Sequence, residues 1–167
     1  MESNIKLFMC KDDGEIPNNP ELPVIVYEGI FQENPEEIES TFNRHQWTNS
    51  WVNGVFDYHH YHTNTHEVLG VKTGQATVLI GGEKGERLEL QAGDVIVLPA
   101  GTGHKRLESS PDFSVVGAYP EGKSPNLKKR SPGERALSLG EINRIVVPET
   151  DPVFGVGGPL LEKWKKE

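Results

Sequence analysis

Between residues 54 and 120 apolar and polar positions alternate in short runs, at 55–62, 67–73, 76–80, 86–90, 95–98, 104–108 and 113–119, with Gly, Asn, Asp and Pro gathered between them. A period of two is that of a strand with two unlike faces. Seven short strands joined by close turns predict an all-β sandwich or closed barrel. The turns are marked by Gly81-Gly82 before the charged stretch 83–85, by Ala92-Gly93-Asp94 and by Ser109-Ser110-Pro111-Asp112. Residues 95–98, Val-Ile-Val-Leu, are apolar throughout, so both faces of that strand are expected to be covered. In 67–73, an inward Glu67 turns Leu69 and Val71 inward and leaves apolar Val68 on the outer face. Something must pack outside this sheet, and both the terminal segments and a second subunit are expected there.

The flanks read differently. Residues 1–22 are polar and turn-rich, with Asp12-Asp13-Gly14 and Pro17-Asn18-Asn19-Pro20, and lead into an extended segment at 23–27. A helix follows: Asn34 is placed to cap it, Pro35 suits its first position, Glu37 completes a capping pattern, and Ile38 and Phe42 form a stripe. It should end near Arg44 or His45, before the Trp-rich segment 47–51, and cover one edge or face of the domain. After Tyr119 alternation stops. Residues 120–135 read as a long loop, 135–142 as a short helix with Leu139 and Ile142 on one side, and 145–147 as a strand. The stretch 151–164 reads as an ordered extended tail held down by Phe154, Leu160, Leu161 and Trp164. No repeat or boundary divides the chain, so one domain is expected over 1–167, its barrel core at about 50–120 and its terminal segments packed around it.

Composition narrows the function. At 167 residues the chain is long enough to bury a core without disulfides. Seventeen Lys and Arg against 25 Asp and Glu give a formal charge of −8, which disfavours nucleic acid as a partner. The local exception, Lys123, Lys128, Lys129, Arg130 and Arg135, broken by Pro125 and Pro132, reads as a solvated basic loop, with a phosphate-contacting lid as the alternative. Cys10 is the sole cysteine, which rules out an internal disulfide and a cysteine-rich zinc site and suits a reducing, cytoplasmic setting. No apolar run approaches the roughly 20 residues of a membrane span, and the first residues lack a signal-like run, so no membrane association is expected.

The histidines carry the chemistry. In an extended strand His60 and His62 present both imidazoles to one side. A turn at Thr63-Asn64-Thr65 bends the chain, and Glu67 opens the next strand, where it can face the pair. His104, beyond Pro99-Ala100-Gly101-Thr102-Gly103, opens a later strand and can supply a third imidazole. Three neutral nitrogens and a carboxylate suit one divalent transition metal (Fe, Mn, Ni, Co or Zn) and leave coordination positions open. His59 and His66 fall on the opposite faces from His60 and Glu67 and are expected to be nonligands. A bulge would exchange His66 for Glu67.

The spacing is specific. Gly54 is followed by five residues, His60, one residue, His62, four residues, Glu67, six residues and Gly74; after 18 more comes Gly93, then five residues, Pro99, one residue, Gly101, two residues and His104. This resembles both motifs of the cupin family, with one departure, Glu108, where the second motif usually ends in Asn. The resemblance covers residues 54–108 directly. It implies a double-stranded β-helix, a jelly-roll barrel with one or two peripheral helices, a metal near its axis, and His60, His62, Glu67 and His104 as ligands by position. The segment 59–74 further resembles a subgroup of bacterial cupins without a settled reaction.

Two classes of function follow. One is a metal-dependent enzyme of dioxygenase or isomerase type, probing a small oxygenated molecule in the barrel with Tyr58, Lys105 and Arg106 as candidate catalytic groups. The other is a noncatalytic small-molecule or metal-binding module with the same ligands. Either is expected as a homodimer.

Overall fold

The computed structural model describes residues 4–129 and 132–165; Arg130 of the basic stretch lies outside them. Nine strands form: β1 (Asn4–Phe8), β2 (Val24–Glu28), β3 (Trp47–Asn53), β4 (Glu67–Thr73), β5 (Gln75–Ile80), β6 (Glu86–Gln91), β7 (Val95–Leu98), β8 (His104–Ser109) and β9 (Ser114–Pro120). They make a six-stranded sheet in the order β1-β2-β7-β4-β9-β3 and a three-stranded sheet in the order β6-β5-β8, paired antiparallel throughout. This is the expected all-β jelly roll.

Alternation along the strands builds two cores, one on each face of the large sheet. Leu69 and Val71 of β4, Ile96 and Leu98 of β7 and Val115 of β9 meet Ala76, Val78, Ile80 and Leu90 of the small sheet, filling the space between the sheets. Val68, Val95, Val97, Val116 and Ala118 point the other way, into an outer core with Phe31, Ile38, Phe42, Trp47, Val153, Leu160 and Trp164. The strand that is apolar at every position, β7, is buried at all four residues because it feeds both cores. Gly70 keeps the outer packing close: a Cβ there would stand 2.6 Å from the Ile38 side chain.

The outer face is therefore closed by the chain itself. The helix α1 (Ile38–Arg44), preceded by a 3₁₀ turn at Pro35–Glu37, lays Ile38 and Phe42 on it. Neither Asn34 nor Glu37 makes the expected side-chain cap, since a 3₁₀ turn replaces the first α-helical turn that such a cap would serve. The tail completes the cover with a short helix, α3 (Pro159–Lys163), in place of the extended end expected, and Trp164 is fully buried while Phe154 remains exposed. Val68 is fully buried within one chain, so it supplies no apolar face for a second copy.

Three other expectations are corrected. Residues 1–22 contain a strand, β1, whose side chains are largely exposed at the sheet edge and so lack an alternating signature. Residues 145–147 form no strand; they follow the helix α2 (Arg135–Asn143) as irregular chain, and Val146 is exposed. Residues 55–62 are irregular as well. The backbone N–H of Arg106 donates to Phe56 O (2.9 Å) and the next pairing joins His60 to His104, so four residues face two and a bend at Asp57–Tyr58 takes up the surplus.

One buried carboxylate ties the tail down. Asp151, fully buried, accepts backbone N–H groups of Val153 (2.7 Å), Phe154 (3.1 Å) and Leu160 (3.0 Å), and the Tyr27 hydroxyl of β2 donates to it. Burial, then the Asp151 charge, pushes the Tyr27 hydroxyl far above its ordinary range, so it remains a donor. Removing the carboxylate strands the N–H groups of Val153 and Leu160 and a phenol in the buried interior, and frees the part-buried N–H of Phe154. Asp151→Ala is expected to lower unfolding free energy by about 3 kcal/mol, and Tyr27→Phe by about 1–2 kcal/mol, both measured by urea denaturation; equal stability of Asp151→Ala and the parent would show that the tail is held by apolar contact alone.

Candidate metal centre

Four of the predicted side chains meet at one end of the space between the sheets. Glu67 opens β4 and His104 opens β8. Although residues 55–62 are not a regular strand, they are extended where it matters. The backbone of His60 exchanges hydrogen bonds with His104 (3.2 and 3.0 Å), while Tyr61 exchanges them with Lys128 (3.0 and 2.9 Å). That pins Tyr61 to the other side and turns His60 and His62 to a common side. One nitrogen each from His60, His62 and His104 lies within 4.8 Å of the others, and all three residues are buried. The His60 and His104 rings are 4.1 Å apart between centroids.

Each imidazole is oriented through Nδ1 by a backbone carbonyl: His60 by Tyr58 O (3.1 Å), His104 by Thr102 O (3.0 Å) and His62 by Asn126 O. A carbonyl can only accept, so each Nδ1 carries the proton and Nε2 is left to face the centre. Glu67 completes the set from beneath. Its Oε2 accepts the Tyr119 hydroxyl (2.7 Å), which itself accepts the Trp51 indole N–H (2.8 Å). Its Oε1 stands 3.4 Å from His62 Nε2 and 3.3 Å from His104 Nε2, yet has no hydrogen bond despite being buried.

A buried carboxylate oxygen without a hydrogen bond, set among imidazole nitrogens, is the donor arrangement that suits a cation. Donors each about 2.0–2.2 Å from one ion lie roughly 3.0–3.4 Å from one another, and the Glu67–imidazole spacings fall in that interval. The residues present thus fit a divalent ion held by three nitrogens and one carboxylate oxygen.

The electrostatics agree. Burial raises the Glu67 carboxyl, but the neighbouring imidazoles, His62 foremost, more than offset this and hold it well below the usual carboxylate range. Burial lowers His62, and the charge and contact of Glu67 reverse the sign, so His62 is raised overall. His60, buried and beside His104, is lowered to about 3. Burial, then Glu67, pushes the Tyr119 hydroxyl far upward, which keeps it a proton donor.

The other predicted groups lie elsewhere. Lys105 points away from the three imidazoles and pairs with Glu83 (2.8 Å). Arg106 Nε donates to Val55 O (3.1 Å), and Tyr58 stacks on Phe56 with Lys129 over its ring at 4.6 Å. None of the three lines the cavity above the centre. His66 is turned to the outer side as expected: Nδ1 accepts Ala100 N–H (2.9 Å), Nε2 meets Val146 O (3.0 Å), and the ring lies against Trp164. His59 stands beside Glu83 at 3.1 Å.

Sequence reasoning missed Trp51, Tyr119 and Asn126. A β-bulge between Thr48 and Trp51 sends Trp47 outward and Trp51 inward, where Gly117 makes room: a Cβ on Gly117 would lie 2.2 Å from the indole. Asn126 belongs to the loop read as basic. Its backbone carbonyl holds His62, and its side chain accepts Thr63 N–H (2.9 Å) and donates to Thr63 Oγ1 (2.7 Å). Pro125, Asn126 and Leu127 wall a cavity of about 300 Å³ whose floor is the four-residue centre.

Residues 49–108, the stretch that contributes all four of these side chains, match the family described as Cupin domain. This chain belongs to the cupin family. It is 45% identical over 166 residues to the uncharacterized protein YjlB of Bacillus subtilis, covering 99% of this cupin and 100% of that protein. Among solved structures, acireductone dioxygenase from Bacillus anthracis, with a cadmium ion in its active centre, is 22% identical at a TM-score of 0.38, over 58% of this chain and 66% of that one, just under two thirds of its length. A DUF861 family protein from Thermotoga maritima is 21% identical at a TM-score of 0.35, over 57% and 96% respectively. Likenesses so distant bear on neither the activity nor the ligand of this cupin.

The lowered His60 makes a pH prediction. The folded state resists protonation of this ring until about pH 3, whereas the unfolded chain takes up the proton near 6.5. Between those values the unfolded state binds more protons, so stability rises with pH. Chelator-treated protein is expected to lose stability as pH falls from 6.5 toward 3, and His60→Gln to flatten that dependence by up to about 1.4 kcal/mol per pH unit, read from urea unfolding across the series. Parallel curves would show that this imidazole is not held neutral.

Proposed function

We propose that this cupin binds one divalent transition metal (Fe, Mn, Ni, Co or Zn) through His60, His62, His104 and Glu67 and uses it on a small oxygen-bearing molecule, as a dioxygenase- or isomerase-type enzyme. The observation that carries the reading is the unsatisfied Glu67 Oε1 facing imidazoles whose Nδ1 positions are already committed to carbonyls. A bound ion would supply Lewis acidity or, if redox-active, a site for oxygen chemistry.

The remaining work falls to the chain. Tyr119, donating to Glu67 Oε2, fixes the carboxylate so that the other oxygen faces the centre. The carbonyl of Asn126 holds His62 at an angle that a free imidazole would not keep, and the cavity wall excludes bulk water from the floor. Phe56 and Leu127, both lining the cavity and about half exposed (50% and 47%), mark its mouth and leave a way in for a ligand. Structural metal sites are closed on all sides, whereas this one has a cavity above it.

One observation favours a second reading, a noncatalytic binding module. Among the described residues, apart from the four candidate ligands, no lysine, arginine, aspartate or histidine lines the cavity, and the Tyr119 hydroxyl is already engaged with Glu67. Oxygen-consumption and sugar-isomer screens on each metal form separate the two readings.

The metal assignment has its own test. His62→Ala and His104→Ala, purified without an affinity tag, are expected to hold at least tenfold less metal than the parent by elemental analysis under matched conditions. Equal occupancy would defeat the assignment.

A further inference from the structure

The walls of the cavity are chemically unlike its floor. Trp51, Val55, Phe56, Leu69, Pro125 and Leu127 supply apolar surface from several directions, while the polar groups are confined to the imidazoles, Glu67 and Tyr119 at the base and to the neutral amides Asn53 and Asn126. Among the described residues, no lysine or arginine lines the cavity. Lys105 is held by Glu83, Arg106 by Val55 O, and Lys129 lies over Tyr58. A molecule bearing one anionic or oxygen-donor end can place it on an ion at the floor. A second carboxylate or a phosphate would be buried against apolar walls without a counter-charge, and burying an unpaired charge is strongly unfavourable. The volume, about 300 Å³, is that of roughly ten water molecules, which sets the scale at about ten non-hydrogen atoms.

We infer that the ligand of this cavity is a compact, mostly apolar molecule, an aromatic ring or short branched aliphatic body, carrying a single oxygen-donor head, and that dicarboxylates with a remote second carboxylate and phosphate esters are excluded. The inference rests on the metal reading for the head and on the cavity walls for the body. Phe56 and Leu127 act as the apolar lips that select the body. The half-exposed position of Leu127 lets it be altered with little cost to the fold.

Two measurements separate the parts. With cobalt(II) loaded, titration of the visible spectrum is expected to show benzohydroxamate binding at least tenfold more tightly than acetohydroxamate, which has the same chelating head without the ring, and succinate, whose second carboxylate would face the apolar walls, binding more weakly than butyrate. Leu127→Ser should reduce the benzohydroxamate preference at least threefold while cobalt uptake stays at the parental level. Equal affinities for the two hydroxamates, or succinate binding as tightly as butyrate, would overturn the inference and leave the metal reading intact. The second measurement needs no metal. Nitrobenzene should quench tryptophan fluorescence saturably in chelator-treated protein, and Trp51→Phe should abolish the saturable part, because Trp47 and Trp164 are fully buried in the outer core. Saturable quenching without cobalt uptake would uphold the apolar cavity and defeat the metal reading. Only linear quenching, the same in Trp51→Phe, would overturn the cavity's apolar selectivity whatever the cobalt result.

Discussion

A carboxylate buried at the end of a barrel and left with one unpaired oxygen is the constraint around which this domain is arranged. Ionised Glu67 needs compensation inside a low-dielectric interior, and the structure supplies it from two directions. On one oxygen it is a hydrogen-bond chain, Trp51 to Tyr119 to Glu67; on the other it is the imidazoles of His62 and His104. The first is complete without any added group. The second is not, since the imidazoles have committed Nδ1 to carbonyls and approach at distances too long to share a proton well. The asymmetry between the two oxygens distinguishes an ion site from a polar core that merely hydrogen-bonds to itself.

Holding four groups in register across two sheets demands a stiff frame, and the outer core provides it. The six-stranded sheet is packed on both faces: inside against the small sheet, outside against α1, Trp47 and the tail. The strand that carries Glu67 is central to that sheet, paired with β7 and β9 on either side, so Glu67 sits where the sheet is least free to move. Asp151 fastens the tail over this face by accepting from three backbone amides and Tyr27, and in doing so links residues near the end of the chain to β2. The tail is thus part of the scaffold of the centre, at one remove from the candidate ligands.

The centre was legible in the sequence because its four residues lie at strand starts or in a locally extended segment, where parity alone decides which way a side chain points. His60 and His62 share a side, Glu67 opposes His66, and the cupin-like spacing joins them to His104. The strands of 67–119 were legible for the same reason. Trp51 and Tyr119 were not, because their arrival beside Glu67 depends on the pairing of β3 and β9 and on a bulge, neither of which a hydrophobic pattern encodes. Inward parity along β9 does point Tyr119 to the interior, but only the register shows that Glu67 is its partner. Edge strand β1 carries no alternating signature because all of its residues but Phe8 are exposed, and 145–147 mimics a strand because an apolar run on irregular chain carries the same letters. Tyr58, Lys105 and Arg106 lie near the candidate ligands in sequence, but nearness along the chain says little across a bend: Tyr58 stacks on Phe56, Lys105 pairs with Glu83, Arg106 holds Val55 O, and none of the three lines the cavity.

The loop after β9 shows how a stretch that reads as solvated charge can take part in a site without using its charges. Two of its lysines are engaged elsewhere, Lys128 with Glu134 (3.2 Å) and Lys129 with the Tyr58 ring. The elements that matter are the Asn126 carbonyl, which fixes His62, and the Pro125 and Leu127 side chains, which wall the cavity. Thr63 joins this loop to α2, since it receives the Asn126 amide and donates to Glu141 (2.7 Å). One short segment therefore sets both the angle of a candidate metal ligand and the polarity of the space above it. Any change in its backbone would be felt twice, at the floor through His62 and at the wall through Leu127, whereas a change confined to the Leu127 side chain reaches the wall alone.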